Sequence, residues 1–303
     1  MALNKQIWLN TIQDNFFPDD SFASKSVDDS AFVTNKTVHV PNAGAPSGVQ
    51  TNRSTLPAES AAKRVDNELT YDIDELTTNP VYIPNVETVE LSYDKRMSVL
   101  SNDRQQLQKE AAQNLLYRWM PTTVSKYIKT TGIAAPAHTS SDATGTRLKI
   151  TKDDVLSIST RFNEDDVPMA GRTLLLDPRM YNDLINNLTD KELPAFLASA
   201  DVQKGIMGNL YGFDVIQRSK VLRLTAAGAL LKWDAENQAT EVAAALAWQQ
   251  DCVSRAIGDL KMFDRMDDPL YYGDIYSFLM RVGGAQRRYD NKGVCVLMEN
   301  TPA

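Results

Sequence analysis

Two residue types that carry much of protein chemistry are scarce in this chain. Among 303 residues there are two cysteines and two histidines. Cys252 and Cys295 are far apart and in no metal-like spacing. That excludes a zinc module or a disulfide scaffold, and the expectation is two reduced, buried thiols. His39 and His138 are distant from each other and no H-E-x-x-H occurs, so a His-based metal site is not expected. No G-x-S-x-G elbow is present, which removes the nucleophile an α/β-hydrolase would need. Gly205, Gly208 and Gly212 do not form G-x-G-x-x-G, and Lys204 precedes its glycine, so no phosphate cradle is written here. These glycines read as tight turns before a strand. No apolar run reaches the length of a membrane span. Segment 1–17 is broken by Asn and Gln, unlike a secretory leader. The net charge of −7 argues against a basic face that coats DNA and leaves room only for local contact. The chain reads as a soluble protein made in a reducing cytoplasm, with no catalytic, cofactor-binding or metal-ligating residue to nominate.

What is present is the composition of an ordinary globular chain, long enough to bury a large core. Carboxylate pairs occur at Asp19/Asp20, Asp28/Asp29, Asp153/Asp154, Asp165/Asp166 and Asp267/Asp268. Their number dilutes any one of them as a catalytic dyad, and most fall at loops or helix starts, where solvated acids belong. Arg281, Arg287, Arg288 and Lys292 form the one local excess of positive charge. Two readings of it stay open: a solvated strand face, or a surface for a neighbouring subunit's acids or a DNA backbone.

Along the chain, Leu3, Ile7, Trp8 and Ile12 fall at helical spacing. The stretch after them scatters aromatics among acids, which suits an arm lying on another surface. Two extended segments, around Val38–Val40 and from Val65 through Leu69, Tyr71 and Ile73 to Leu76, flank a Gly/Pro-rich tip. They predict a long hairpin with too few apolar residues to stand alone. A β-rich stretch with Val81, Ile83, Val86, Val89 and Leu91 follows. Asn102 and Gln105 resemble a capping box, and Leu107, Ala111, Leu115 and Trp119 recur every four residues beside Ala112 and Leu116. Val124 and Ile128 continue the stripe past Pro121, so one long, bent helix is predicted from about Asn102 to Thr131, with an earlier start allowed. Residues 133–146 read as a loop. Thr151 with Asp154 caps a helix through Val155, Ile158 and Phe162. Thr173–Leu176 is a strand running into Asp177-Pro178, an N-cap followed by proline at the first helical position. Tyr181, Leu184, Ile185 and Leu188 mark that helix's apolar face. Phe213, Val215 and Ile216 form another strand. Residues 225–249 mix helix and strand signals and stay unassigned. Two final strands meet at a polar turn from Asp290 to Gly293. The whole is α+β, with segregated helices and a mixed or antiparallel sheet.

From Gly171 onward the order of parts resembles the second half of the HK97-like major capsid proteins of tailed bacteriophages. RTLLLDPRMYNDL resembles the strand, proline and helix of that family's A domain. GNLYGFDVIQRSKVL resembles its glycine turn and following strand. IYSFLMRVGGAQRRYDNKGVCVLMEN resembles its closing strands. In the first half an N-arm, a long hairpin, a β segment and a spine helix come in the family's order, so the resemblance covers nearly the whole chain. It implies an N-terminal arm at 1–36, an E-loop hairpin at 37–80, a P domain with the spine helix at 81–160, an A domain at 161–274, and closing strands returning to the P domain at 275–303. It also implies a non-enzymatic subunit of an icosahedral shell, assembled in the host bacterial cytoplasm from pentamers and hexamers. That shell, the virion capsid, encloses double-stranded DNA without sequence specificity. The implied partners are further copies of the chain, a separate scaffolding protein, a portal and decoration proteins, with no cofactor and no membrane. A fused scaffold is not expected, because the N-terminal stretch is too short for one. Some members join an E-loop lysine to an asparagine near the C-terminal loop; Lys63 and Asn291 lie in those regions. The alternatives are an encapsulin-like compartment shell, which shares the fold, and a soluble enzyme without a recognisable motif.

Overall fold

The computed structural model describes residues 22–33, 36–44, 49, 51–52, 63–84, 95–123, 127–201, 205–232 and 234–302. The first strands are β1 (Val27–Asp28), β2 (Thr37–Asn42), β3 (Asn67–Asp72), β4 (Asp74–Thr77) and β5 (Val81–Pro84). Helix α1 (Lys95–Trp119) comes next, before β6 (Tyr127–Lys129), β7 (Ala134–Pro136) and β8 (Thr146–Leu148). Helix α2 (Lys152–Glu164), β9 (Arg172–Leu176), α3 (Pro178–Asn187) and α4 (Glu192–Ala198) follow. The remainder is β10 (Ile206–Leu210), β11 (Phe213–Gln217), β12 (Leu222–Thr225), β13 (Leu230–Leu231), β14 (Glu241–Gln249), β15 (Val253–Asp268), β16 (Gly273–Gln286) and β17 (Val294–Met298).

An eight-stranded mixed sheet forms the middle layer, with β10, β11, β9, β14, β12 and β13 in order and β17 and β6 on the far edge of β14. Its central strand β14 is buried along its whole length. Strand alternation divides it between two cores. Val242, Ala244, Leu246 and Trp248 face one, with α1 and the second sheet. Ala243, Ala245 and Ala247 face the other, where α2, α3 and α4 supply Ile158, Phe162, Leu184 and Phe196. A strand buried on both faces has no period-two signal, and its alanines are also good helix formers. This is why 225–249 could not be assigned from sequence; it begins at the end of β12 and forms β13 and β14.

The second sheet has five strands, with the long pair β15 and β16 at its centre, β1 parallel on one edge, and β4 and β5 on the other. Helix α1 lies on this pair. Its stripe of Leu107, Ala111, Leu115 and Trp119 is buried as expected. The helix begins at Lys95, the earlier start allowed for, but its end differs from expectation: it stops at Trp119, because Pro121 disfavours a helical residue before it. The Trp119 carbonyl freed by this ending accepts a hydrogen bond from Gln286 Nε2 at 2.9 Å. Ile128 is thus a strand residue, parallel to Leu297 of β17. The approach of α1 explains Gly284, where an added Cβ would stand 2.9 Å from Leu115 Cδ2 and Trp119 Nε1 and 2.8 Å from Ser254 O.

Other expectations are met locally. Thr151 and Asp154 form a reciprocal capping box on α2, and Asp177 Oδ1 accepts from Met180 N at 2.7 Å with Pro178 at the first turn of α3. Both cysteines are free and buried. Three further points are corrected. The stretch read as a loop over 133–146 holds the two-stranded ribbon β7–β8. The two closing strands lie in different sheets, β16 with β15 and β17 with β14, so the polar turn between them hands the chain across the core. Residues 22–33, read as part of an outlying arm, dock on their own chain. Phe22 is buried against Trp119 and Trp248, at centroid distances of 5.7 and 6.2 Å, and the Arg255 guanidinium binds the carbonyls of Ala23 and Ser26. The helical spacing over 3–12 and the apolar positions Val86, Val89 and Leu91 lie outside the described residues. Among the described residues no helix is long and apolar enough to cross a membrane.

Candidate assembly interface

Among the described residues no group of His, Cys, Asp and Glu could hold a metal ion. His39 is exposed on β2 and meets Glu68 across the hairpin at 2.6 Å. Acids of the described carboxylate pairs are occupied locally, and Asp19/Asp20 lie outside the described residues. Asp154 caps α2, Asp28 accepts from Ser30, and buried Asp268 is met by Arg265 at 2.7 Å. The basic cluster is neutralised one residue at a time: Arg281 by Glu75, Arg287 by Asp29, Arg288 by Asp290 and Lys292 by Asp165. The hydrogen bond from Arg288 holds the Asp290 carboxyl down at about 2. Sequence shows the cations and Asp290 together, but not Glu75, Asp29 and Asp165, which come from three distant places. Lys63 is exposed on the outer hairpin, and Asn291 sits in the turn after β16 with φ 54°.

The hairpin has a supported root and a bare outer half. β2 and β3 pair from Thr37↔Asp72 to Asn42↔Asn67. At the root Val38, Val40, Tyr71 and Ile73 form a small core with Ala256 of β15, so this end is anchored within the chain. Outward from Thr70 the described residues are mostly exposed, and Val65 and Val49 expose 75% and 95% of their surface. Nothing in the described chain covers them.

A second exposed apolar surface lies at the far end of the β15–β16 ribbon. Phe263, Met266, Leu270, Tyr271 and Tyr272, with Tyr82 of β5, all stand out of the surface, Leu270 and Tyr272 by 76% and 79%. This tip is held in shape by buried acids. The Asp268 carbonyl accepts from Tyr271 N and Tyr272 N, and its side chain accepts from Leu270 N. Asp274 accepts from Asp267 N and from the Tyr276 hydroxyl. Tyr82 donates its hydroxyl to the Tyr271 carbonyl. Asp267 and Tyr272 both take positive φ, 52° and 53°, a conformation that costs non-glycine residues about 1–3 kcal/mol and persists where surrounding contacts impose it. Rigid, exposed aromatics are the residue type that protein interfaces concentrate. From aromatic side chains of ~150–250 Å² each, the tip exposes on the order of 500 Å². That is more than scattered surface apolar residues present, and less than the ~800 Å² per partner of a stand-alone complex.

Comparison with solved structures gives the fold. The chain has the architecture of shell subunits from tailed bacteriophages, the HK97-like capsid fold. It aligns with the capsid of Ralstonia phage GP4 at a TM-score of 0.68 and 13% identity, over 95% of this chain and 92% of that one. The capsid of cyanophage P-SCSP1u aligns at 0.61 and 17%, over 90% and 86%. The capsid of the native GTA particle aligns at 0.59 and 13%, over 94% and 91%. No protein-family profile and no curated protein sequence matches the chain.

Proposed function

We propose that this chain is the structural subunit of a tailed-phage head, assembling through pentamers and hexamers into a closed shell around double-stranded DNA, and that it is not an enzyme. The observation that supports this most is the end-to-end match to phage capsid chains, which leaves little of either chain outside the alignment. The outer hairpin, in the family's E-loop position, and the β15–β16 tip are the surfaces that meet other copies. Each is small, and a shell repeats each many times, so modest contacts add to a stable whole. A separate scaffolding protein and a portal are the partners this role calls for, with decoration proteins as additions at the outer surface. The domain division read from the sequence belongs to this reading, with α1 as the spine helix.

The test is expression of the chain alone, then negative-stain electron microscopy beside size-exclusion with light scattering. Closed shells, tubes, or rings of five or six support the proposal. A monomer is followed by repetition with a scaffolding partner. A stable dimer that resists assembly in both settings overturns it. Shells carrying protein cargo instead of nucleic acid would favour the encapsulin-like reading.

A further inference from the structure

Outside the surfaces described above, the largest concentration of buried charge joins the β7–β8 ribbon to the rest of the chain. Arg147 of β8 sends Nη1 to Glu299 Oε1 at 2.6 Å, Nη2 to Asp183 Oδ2 at 2.8 Å, and Nε to the Pro136 carbonyl at 3.1 Å. His138, just past β7, places Nε2 2.9 Å from Asp177 Oδ2 and Nδ1 3.7 Å from Glu299 Oε1. Lys149 Nζ reaches Asp183 Oδ1 at 3.4 Å. The side chains are well buried, with Glu299 exposing 1%, Arg147 6% and His138 15%. Two of the carboxylates come from α3 or its cap, and the third follows β17. The ribbon contributes His138 and Arg147. These ionic contacts are thus a large part of what fastens it, beside backbone bonds such as Leu148 N to Asn300 O and Thr144 N to Ala239 O.

The charge count does not close by itself. Asp177, Asp183 and Glu299 bring three negative charges, while Arg147 and Lys149 bring two permanent positive ones. The remaining charged neighbours do not make up the difference. Arg179 is exposed at the rim of the adjoining cavity of about 240 Å³, as is Lys220. Arg223 is engaged by the buried Glu241 at 2.5 Å. An uncompensated charge at this depth is costly. Neutrality is reached with one added proton, and the Glu299 carboxyl, the most deeply buried of the three and set between Arg147 and His138, is placed to hold it.

We propose that this cluster is a proton-held latch: a proton on the Glu299 carboxyl, buried between Arg147 and His138, keeps the β7–β8 ribbon docked on α3 and on the end of β17, and loss of that proton loosens the ribbon. Burial supports the assignment by pushing the Glu299 carboxyl up to about 7, against the opposing pull of His138 and Arg147. Burial would raise Asp177 too, but the His138 bond and charge and the α3 backbone amides outweigh it and hold Asp177 below the carboxylate range. The proton therefore does not belong on Asp177. For a carboxyl raised from its ordinary 4.5 to about 7, the stabilisation is complete below about 4.5 and is lost as pH climbs to about 7. The ribbon is firmest in acid and already loosened from neutral pH upward.

The test is amide hydrogen exchange of the full chain, read by mass spectrometry from pH 4 to pH 9 and corrected for intrinsic exchange. One linked proton predicts that protection of residues 134–148 falls by up to about tenfold per pH unit between about 4.5 and 7 and levels off above that, while α1 keeps its protection. Glu299→Gln, neutral at every pH and still able to accept from Arg147, should hold the ribbon docked and flatten the profile. Ribbon protection that does not change across this range in the unmodified chain overturns the proposal without any variant. An unaltered pH slope in a folded Glu299→Gln chain overturns it as well. The proposal does not depend on the chain forming shells, so neither result bears on that reading.

Discussion

Gly284 is the position at which the packing of α1 on the five-stranded sheet is most exposed to test. An alanine there would put its Cβ 2.8 Å from the Ser254 carbonyl oxygen and 2.9 Å from both Leu115 Cδ2 and Trp119 Nε1. None of these atoms is the free end of a flexible side chain. Leu115 and Trp119 are fully buried, and Trp119 Nε1 donates to that same Ser254 carbonyl at 2.7 Å. Overpacking of this kind costs ~1–3 kcal/mol. Displacing the indole hydrogen bond adds about 1 kcal/mol. A loss of about 2–4 kcal/mol should lower the Tm of the unassembled subunit by roughly 5–10 °C, at a few degrees per kcal/mol for a chain of this size. Thermal melts followed by tryptophan fluorescence suit the measurement, because Trp119 and Trp248 stand together in this core, 5.4 Å between centroids. Gly145→Ala is the comparison. Its Cβ meets nothing within 4 Å, and only its φ of 93° is strained, so it should cost about 1 kcal/mol. A Gly284→Ala subunit that melts with the unmodified chain, or above Gly145→Ala, would refute the described seating of α1 on β16.

The remaining expectations can be checked with the same preparations. Leu270→Ser with Tyr272→Ser should leave the subunit's Tm within about 2 °C, since both side chains are exposed, yet sharply reduce closed shells in micrographs; deleting 42–58 should likewise spare the fold and block closure, and unfolding by that deletion would place the hairpin tip in an internal core. Arg147→Met strands Glu299 and Asp183 in a buried site and should cost about 3–5 kcal/mol in urea unfolding at pH 8. The loss should be smaller at pH 5, where Glu299, raised to about 7 by burial, is already protonated. Burial also pushes the Cys252 thiol up to about 11, and Cys295 is fully buried; neither should react with a thiol reagent until the chain is unfolded, which a colorimetric titration with and without denaturant will show.

The capping box at Thr151 and Asp154, the Asp177-Pro178 helix start, the four-residue stripe of α1 and the paired arms of the hairpin were all legible in the amino-acid order. Each depends on residues within a few positions of one another, or on a periodicity that one element carries by itself. The end of α1 was misplaced because Val124 and Ile128 continue a helical spacing that Pro121 interrupts, and a strand edge beside β17 was waiting for Ile128. β14 was unreadable because both of its faces are buried, which removes the alternation that marks a strand. The long strand β15 drew no signal that sequence reasoning used, since its charged residues break any simple apolar pattern.

The order of elements and their similarity to a capsid subunit were thus determined by the sequence alone, because local propensity and the succession of elements are properties of the chain as written. Tertiary structure decided which distant residues meet. It brought Glu75, Asp29 and Asp165 to Arg281, Arg287 and Lys292 near the C-terminus, seated Phe22 between Trp119 and Trp248, and sent β16 and β17 to different sheets. It also placed His138, Arg147, Asp183 and Glu299 in one buried cluster. Such contacts depend on the path of the whole backbone and on which surfaces exclude water together, and no local stretch of sequence specifies either.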